Sequence, residues 1–247
     1  MIKEIDINCD LGEGLNNEHL IMPYISSCNV ACGGHAGDKE LMERVVELAM
    51  KYQVKLGAHP SYPDKKNFGR VSLKLSKSEL EVTIIEQIKI FKEITDNHAV
   101  RMHHIKAHGA LYNDLAKDEA LSIQYLEILN PYKKDVFLYV PYGSVIEKKA
   151  LESGFKIKYE AFADRNYNED LSLVPRSEDN AVIKNEAQIL NHVFNMALHQ
   201  RVRTSTGKEM FIKADTFCVH SDTENAAGML QYLYHNLHLK GVSLAKL

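Results

Sequence analysis

The sequence predicts an α/β protein folded as one distorted (β/α) barrel of about seven strands, and three observations carry the prediction. Segments with strand and helix periodicity alternate along the chain without a break. No Gly/Ser linker, low-complexity run or charge block divides the 247 residues, so residues 1–247 read as a single domain, of a length at which barrels commonly close. The first strand alternates strictly, with Ile5, Ile7 and Cys9 on an apolar face and Asp6, Asn8 and Asp10 on a polar one. An open doubly wound sheet, the competing architecture, covers both strand faces with apolar packing, whereas a distorted barrel tolerates polar side chains beneath a water-accessible mouth.

That first strand is expected over residues 2–10. A second, 27–32, ends in Gly33-Gly34, and Asp38 then caps a helix whose stripe is Leu41, Val45, Leu48 and Ala49. A third strand, 54–58, leads into a segment from Pro60 to Leu75 with Pro60, Pro63 and Gly69 but too little periodicity for an element, so it reads as a loop over the strand ends. Ser76 and Glu79 form a capping box ahead of a long helix with Leu80, Ile84, Ile88, Phe91 and Ile94 on one side. Strand four is expected over 102–107, then helix 118–129, strand 136–140, helix 144–153 closed by Gly154, and strand 156–161. After a polar stretch, helix 185–202 turns through Ser205-Thr206-Gly207 into a strand over 210–219, and a last helix opens near Asp222.

Apolar residues at 45% and charged residues at 26% fit a globular protein and exclude a disordered or fibrous chain. A net charge of −3 provides no basic field for nucleic acid, so a small-molecule substrate is the expected ligand. Cys9, Cys28, Cys32 and Cys218 form no C-x-x-C pair and are expected to be reduced, buried thiols. The residues after Met1 lack the apolar core of a signal peptide and no run reaches membrane-spanning length, so a cytoplasmic protein without membrane contact is expected.

The chemistry should lie where loops leave the C-terminal strand ends, because these open on one side of the domain. Asp10 and Glu13 leave strand one, His35 and Asp38 strand two, His59 strand three, His104 and His108 strand four, Asp164 and Arg165 strand six, and His220 and Asp222 strand seven. Strand periodicity through His-Ile-Lys-Ala-His sends His104, Lys106 and His108 to one face, so an ammonium between two imidazoles is expected to lower the proton affinities of all three. Asp10, His59 and either His104 or His108 could supply a carboxylate-plus-imidazole metal set. The glycine turn from Gly33 to Asp38 could present backbone N–H groups to an anion, and Arg70, Arg165 and Arg176 could clamp a carboxylate or phosphate. The complete dinucleotide fingerprint, a Walker loop, H-E-x-x-H and G-x-S-x-G are all missing.

The segments N-C-D-L-G-E (8–13), A-C-G-G-H-A-G-D (31–38), G-A-H-P-S-Y-P-D (57–64), F-G-R (68–70), K-A-H-G-A-L-Y-N (106–113), F-A-D-R (162–165), V-P-R (174–176) and C-V-H-S-D (218–222) occur in that order over essentially the whole chain. In them the sequence resembles the LamB/YcsF family. It departs from the usual pattern at Gly34, where an aromatic is common, at Ala107, where proline is common, and at Ser221, where glycine is common. The resemblance implies a barrel akin to that of carbohydrate deacetylases and ATP-dependent opening of 5-oxo-L-proline to L-glutamate, performed together with 5-oxoprolinase B and C subunits. ATP with Mg²⁺ would be the co-substrate, and a further divalent metal is an option. Asp10, His59, Lys106, His108 and Arg165 would carry the chemistry, with Asp10 or a neutral histidine as base and Lys106 and Arg165 on anionic oxygens. Asn8, Glu13, Gly34, His35, Asp38, Arg70, Asn113, Arg176 and His220 would bind substrate or nucleotide, and Asp10, His59 and His104 any metal. The alternatives are a metal-dependent amide hydrolase or deacetylase working without ATP, and a non-catalytic substrate-binding subunit.

Overall fold

In a computed structural model that describes residues 3–246, the chain runs β1 (Lys3–Leu11), α1 (Glu18–Ile21), β2 (Ser27–Ala31), α2 (Lys39–Tyr52), β3 (Lys55–His59), α3 (Lys77–Asn97), β4 (Met102–Ile105), α4 (Gly109–Leu115) and α5 (Glu119–Leu129). It continues through β5 (Phe137–Pro141), α6 (Val145–Glu152), β6 (Ile157–Phe162), α7 (Glu186–Phe194), β7 (Arg201–Arg203), β8 (Glu209–Phe211), β9 (Thr216–His220), α8 (Ala226–Leu239) and β10 (Val242–Leu244). Ile2, the expected start of the first strand, lies outside the described residues. Strands β1 to β6 pair in sequence order, β6 pairs with β9, and β9 returns to β1, all in parallel, so seven strands close a barrel. Among the described residues no helix is long and apolar enough to cross a membrane.

The two faces of β1 explain the closure. Ile5, Ile7, Cys9 and Leu11 are buried in one apolar cluster with the inward stripes of the surrounding helices, among them Val45, Val46 and Ala49 of α2 and Ile84, Ile88 and Phe91 of α3. The opposite face meets polar partners from other barrel strands. Asp6 accepts hydrogen bonds from Ser27 Oγ (2.6 Å) and Thr216 Oγ1 (2.7 Å), Asn8 Nδ2 donates to Thr216 Oγ1 (2.7 Å), and Asn29 Nδ2 donates to both Asn8 Oδ1 and Asp10 Oδ1 (2.7 Å each). Polar groups removed from water cost several kcal/mol each when left unpaired, and here they satisfy one another across the barrel.

The caps expected for α2 and α3, Asp38 and Ser76 with Glu79, are present, and at α5 and α6 Asp118 and Ser144 likewise accept from a first-turn N–H. The loop expected between Pro60 and Leu75 contains no helix or strand. Several features differ from expectation, among them strand four, which ends at Ile105 rather than at residue 107. Residues 210–219 are not one strand. Glu209–Phe211 instead pairs antiparallel with Arg201–Arg203 around the Thr204–Gly207 turn, and Asp215, which accepts from Tyr159 N (2.8 Å), leads into β9. The helix expected to reach residue 202 ends earlier, through a wide π turn at Asn195–His199 and Gln200 in the left-handed region. Helix α8 starts at Ala226 rather than near Asp222, because the chain first passes through turns closed by Thr223 N to His220 O and Ala226 N to Thr223 O, with Asn225 in the left-handed region just before the helix. The short helix α1, the helix α4, whose first residue Gly109 has φ +57°, and β10, which pairs in parallel with the start of β1, were not anticipated.

Candidate active site

A cavity of about 400 Å³ opens at the C-terminal ends of the barrel strands. Its floor carries Asp10, Lys106 and Glu160, and its wall includes His59, His108, Phe162 and His220, while Arg70, Asn113, Lys117, Arg165 and Arg176 also line it. Cations therefore outnumber carboxylates along its lining, which suits an anionic ligand.

Lys106 lies just beyond β4, and its ammonium is not between imidazoles. Nζ stands 2.9 Å from Asp10 Oδ1 on β1, 2.9 Å from Glu160 Oε1 on β6, and 3.2 Å from Cys218 Sγ on β9. Burial pulls the lysine toward neutrality, but Asp10, Cys218 and Glu160 override it and hold Lys106 well above the usual lysine range. The lowered proton affinity expected for Lys106 is thus reversed, because strands distant in sequence bring carboxylates to it. Burial likewise works to raise Asp10, yet His59 and Lys106 keep its carboxyl well below the usual range. Burial pushes the Cys218 thiol up, so it is no nucleophile. All four cysteines are free and buried, as expected.

Around Asp10 three imidazoles gather. His59 Nδ1 is 2.8 Å from the Lys106 carbonyl oxygen and His108 Nε2 is 3.0 Å from the Phe68 carbonyl oxygen; a carbonyl only accepts, so each of these nitrogens carries its proton. The other nitrogens, His59 Nε2 and His108 Nδ1, face each other at 2.9 Å, and His59 Nε2 is 3.4 Å from Asp10 Oδ2. His35 lies flat on His108, with ring centroids 3.6 Å apart, and its Nε2 is 3.1 Å from Glu13 Oε1. Burial, joined by neighbouring histidines, keeps His35 and His108 well below the ordinary imidazole range, and burial with Asp10 raises Glu13 to about 7.

His104 does not join this group. Its Nε2 donates to Asn29 Oδ1 (2.7 Å), its Nδ1 meets His103 Nδ1 (3.0 Å), and its ring stacks on Tyr139 at 3.9 Å, filling the barrel interior opposite Gly57. Asp10 and His59 are brought together, then, with His108, one of the two expected third members, 2.9 Å from His59, while His104, the other, is used for packing.

On the other wall, Asp164 Oδ1 and Oδ2 lie 3.0 and 3.1 Å from His220 Nδ1. Burial works to raise Asp164, but His220 and Thr223 bring it down to about 2, so the carboxylate is ionised and accepts from His220 Nδ1. At the mouth, Arg70 and Arg176 both reach Asp222. Arg165 donates to the carbonyl oxygens of Ala181 (3.1 Å) and Val174 (2.6 Å), fixing its guanidinium at the cavity edge.

Three further candidates lie away from the opening. Asn8 is fully buried in the barrel below it, Asp38 caps α2 through Leu41 N (2.9 Å), and Gly34 packs on Gln87, where a Cβ would fall 2.4 Å from Gln87 Oε1. The Gln87 amide, bonded to Ser61 N and O, occupies the room an aromatic at position 34 would need. Sequence reasoning missed Glu160 on the cavity floor. The signal available was alternation: Glu160, Phe162 and Asp164 stand two apart along β6 and its exit, a charged residue inside an otherwise apolar strand end.

A closed parallel barrel with acids, imidazoles and a buried lysine gathered at its C-terminal mouth defines a barrel protein built for polar chemistry on a small ligand. The chain belongs to the LamB/YcsF family, whose model matches residues 5–247. It is 37% identical over 241 residues to the 5-oxoprolinase A subunit of Histophilus somni, covering 98% of each chain, and 38% identical over 247 residues to that of Pyrococcus horikoshii, covering 97% of this chain and 96% of the relative. Among solved structures, the lactam utilization protein of Thermus thermophilus superposes with a TM-score of 0.92 at 30% identity, over 99% of this chain and 100% of that one. A putative cellobiose-phosphate cleavage protein of Enterococcus faecalis V583 shares the fold at a TM-score of 0.60 and 16% identity, over 100% of this chain and 98% of that one.

Proposed function

We propose that this chain is the A subunit of an ATP-dependent 5-oxoprolinase and that its barrel, acting as one catalytic domain, opens the lactam ring of 5-oxo-L-proline to L-glutamate. The observation that carries the reading is the likeness, over essentially the whole chain, to relatives that bear that name. An unstrained lactam resists hydrolysis, which gives ATP, as its Mg²⁺ complex, a role as co-substrate. Transfer of the terminal phosphoryl group to the lactam oxygen yields ADP and a ring imidate phosphate. Water then adds to the ring carbon, the C–N bond breaks with nitrogen leaving as the amine of glutamate, and a second water frees phosphate from the resulting acyl phosphate.

The cavity supplies groups for these steps. His220, oriented by Asp164, takes the proton of the attacking water. Charged Lys106 stabilises the oxyanion that develops at the ring carbon. Asp10 is too acidic to serve as the base and acts instead by holding Lys106 and His59. Arg165, with Arg70 and Arg176 at the rim, binds the substrate carboxylate or the phosphoryl oxygens. The partners are B and C subunits, in the cytoplasm.

The test is an assay of 5-oxoproline-dependent ATP hydrolysis and glutamate formation on the chain alone and reconstituted with B and C subunits. Glutamate formation coupled to ATP cleavage is expected in the reconstituted assembly. Activity in neither setting overturns the reading, and amide hydrolysis by the chain without ATP favours the deacetylase-type alternative.

A further inference from the structure

We propose that Glu13, His59 and His108, with His35 as a fourth ligand, hold one divalent transition metal ion of the zinc class beside the catalytic cavity. The inference does not depend on which substrate the cavity takes.

The two carbonyl contacts are the first argument. Lys106 O and Phe68 O fix a proton on the far nitrogen of His59 and of His108, which is how metal-bound histidines are commonly oriented by their outer partners. The near nitrogens face each other at 2.9 Å, where either a shared proton or a metal ion in its place must lie between or beside them. Glu13 Oε1 is 3.7 Å from His108 Nδ1 and 3.1 Å from His35 Nε2, and single ligand atoms from all four residues lie within 4.8 Å of one another. Ligand atoms around a tetrahedral zinc with bonds of about 2.0–2.1 Å are about 3.3 Å apart, and the distances here fall on either side of that value.

Charge is the second argument. Asp10 and Glu160 each stand 2.9 Å from Lys106, whereas Glu13, whose side chain is equally buried, faces imidazoles, His35 at 3.1 Å and His108 at 3.7 Å, with no lysine or arginine in contact among the described residues. A divalent ion would supply the positive charge that holds the Glu13 carboxyl ionised, and a donor set of imidazoles with one carboxylate selects zinc-like ions over magnesium or calcium. His35 differs from the other ligands. Because its ring lies parallel to His108, its lone pair runs alongside that of His108, and the ring must splay to reach a shared ion. Its Nδ1 is buried without a hydrogen-bond partner, so no bond on that side resists the movement.

The test uses the full chain, stripped with chelator, reloaded with Zn²⁺ or Co²⁺ and dialysed, with metal per chain measured by mass spectrometry, Co²⁺ coordination by visible absorption, and folding by circular dichroism. One equivalent is expected, with a tetrahedral-type Co²⁺ spectrum and a melting temperature raised by Zn²⁺. Glu13→Gln and His108→Asn should weaken retention at least tenfold, His35→Ala should weaken it less, and His19→Ala, at an exposed position, should leave it unchanged. Wild-type protein that retains no metal and shows no Zn²⁺-dependent rise in melting overturns the proposal. So does retention that survives in folded Glu13→Gln and His108→Asn, or that is lost in His19→Ala. Should those two variants fail to fold, the wild-type stoichiometry and Co²⁺ spectrum decide alone.

Discussion

Asp164 and His220 form a fixed carboxylate–imidazole pair: Asp164 Oδ1 lies 3.0 Å from His220 Nδ1, while Oδ2 accepts from the His220 backbone N–H (3.0 Å) and from the Thr223 hydroxyl (2.7 Å). The same carboxylate therefore sets the tautomer of the proposed base and ties the end of β9 to the turn that precedes α8.

Asp164→Asn should lower turnover of the reconstituted enzyme on the order of 10²-fold or more, because an amide no longer specifies a proton on His220 Nδ1. The change should appear mainly in kcat, read from steady-state kinetics.

The pair also predicts acid lability. The Asp164 carboxyl falls from its ordinary 3.8 to about 2 in the folded chain, so the unfolded chain takes up the proton first as pH drops. Its contribution, about 2 kcal/mol, is complete above pH ~4 and is lost as pH falls from about 4 toward 2. Denaturant unfolding of wild type and Asp164→Asn at neutral pH and at successively lower pH should show the difference between them narrowing over that interval. A gap that stays constant with pH would assign the effect to packing.

Arg70 and Arg176 come from separate loops and meet at Asp222, which closes one side of the cavity mouth. The side chains remain 22–39% exposed, so the contacts contribute little to stability. Asp222→Ala should leave denaturant midpoints nearly unchanged and alter the apparent KM, because the arginines lose their common anchor. A large fall in stability with normal KM would show that Asp222 acts only as a structural tie.

The sequence made some of these relationships readable and hid others for physical reasons. The alternation of Ile5, Ile7 and Cys9 with Asp6, Asn8 and Asp10 is a local pattern, and the capping box of Ser76 and Glu79 is contained within four residues; both were legible, and both are present. The state of Lys106 was not, because it is set by Asp10 and Glu160, which the barrel brings from β1 and β6. His104 and His59 look alike along the chain, yet one lies over Gly57 and against Tyr139 inside the barrel while the other reaches the cavity. Only the closed arrangement of strands separates them. The β7–β8 hairpin escaped detection because its three-residue strands are too short to show a period.

Gly57→Ala tests the packing role of His104. A Cβ at position 57 would stand 2.1 Å from His104 Nε2, and that ring cannot swing away, since Asn29 holds Nε2 and Tyr139 stacks on its face. The expected cost is about 1–3 kcal/mol, or a drop in melting temperature of roughly 2–4 °C for each kcal/mol in a chain of this size. A melting temperature equal to wild type would mean that the interior is looser than these contacts imply.

Asn29 is the residue through which barrel interior and cavity floor are joined. Its Nδ2 donates to Asn8 Oδ1 and Asp10 Oδ1, and its Oδ1 accepts from His104 Nε2. Asn29→Asp keeps the shape and removes both donors while adding a carboxylate against Asp10, which is already the anion that Lys106 and His59 share. One of the two acids then has to take up a proton or the pair repels, so a loss of about 3 kcal/mol or more is expected at neutral pH, with partial recovery toward acid pH as the added carboxyl is protonated. Asn29→Ala leaves Asn8, Asp10 and His104 each one partner short without adding charge, and its loss should depend less on pH. Urea unfolding of the two variants across the acid range distinguishes them: equal pH dependence would place the Asp10 charge outside the reach of Asn29, contrary to the 2.7 Å contact between them.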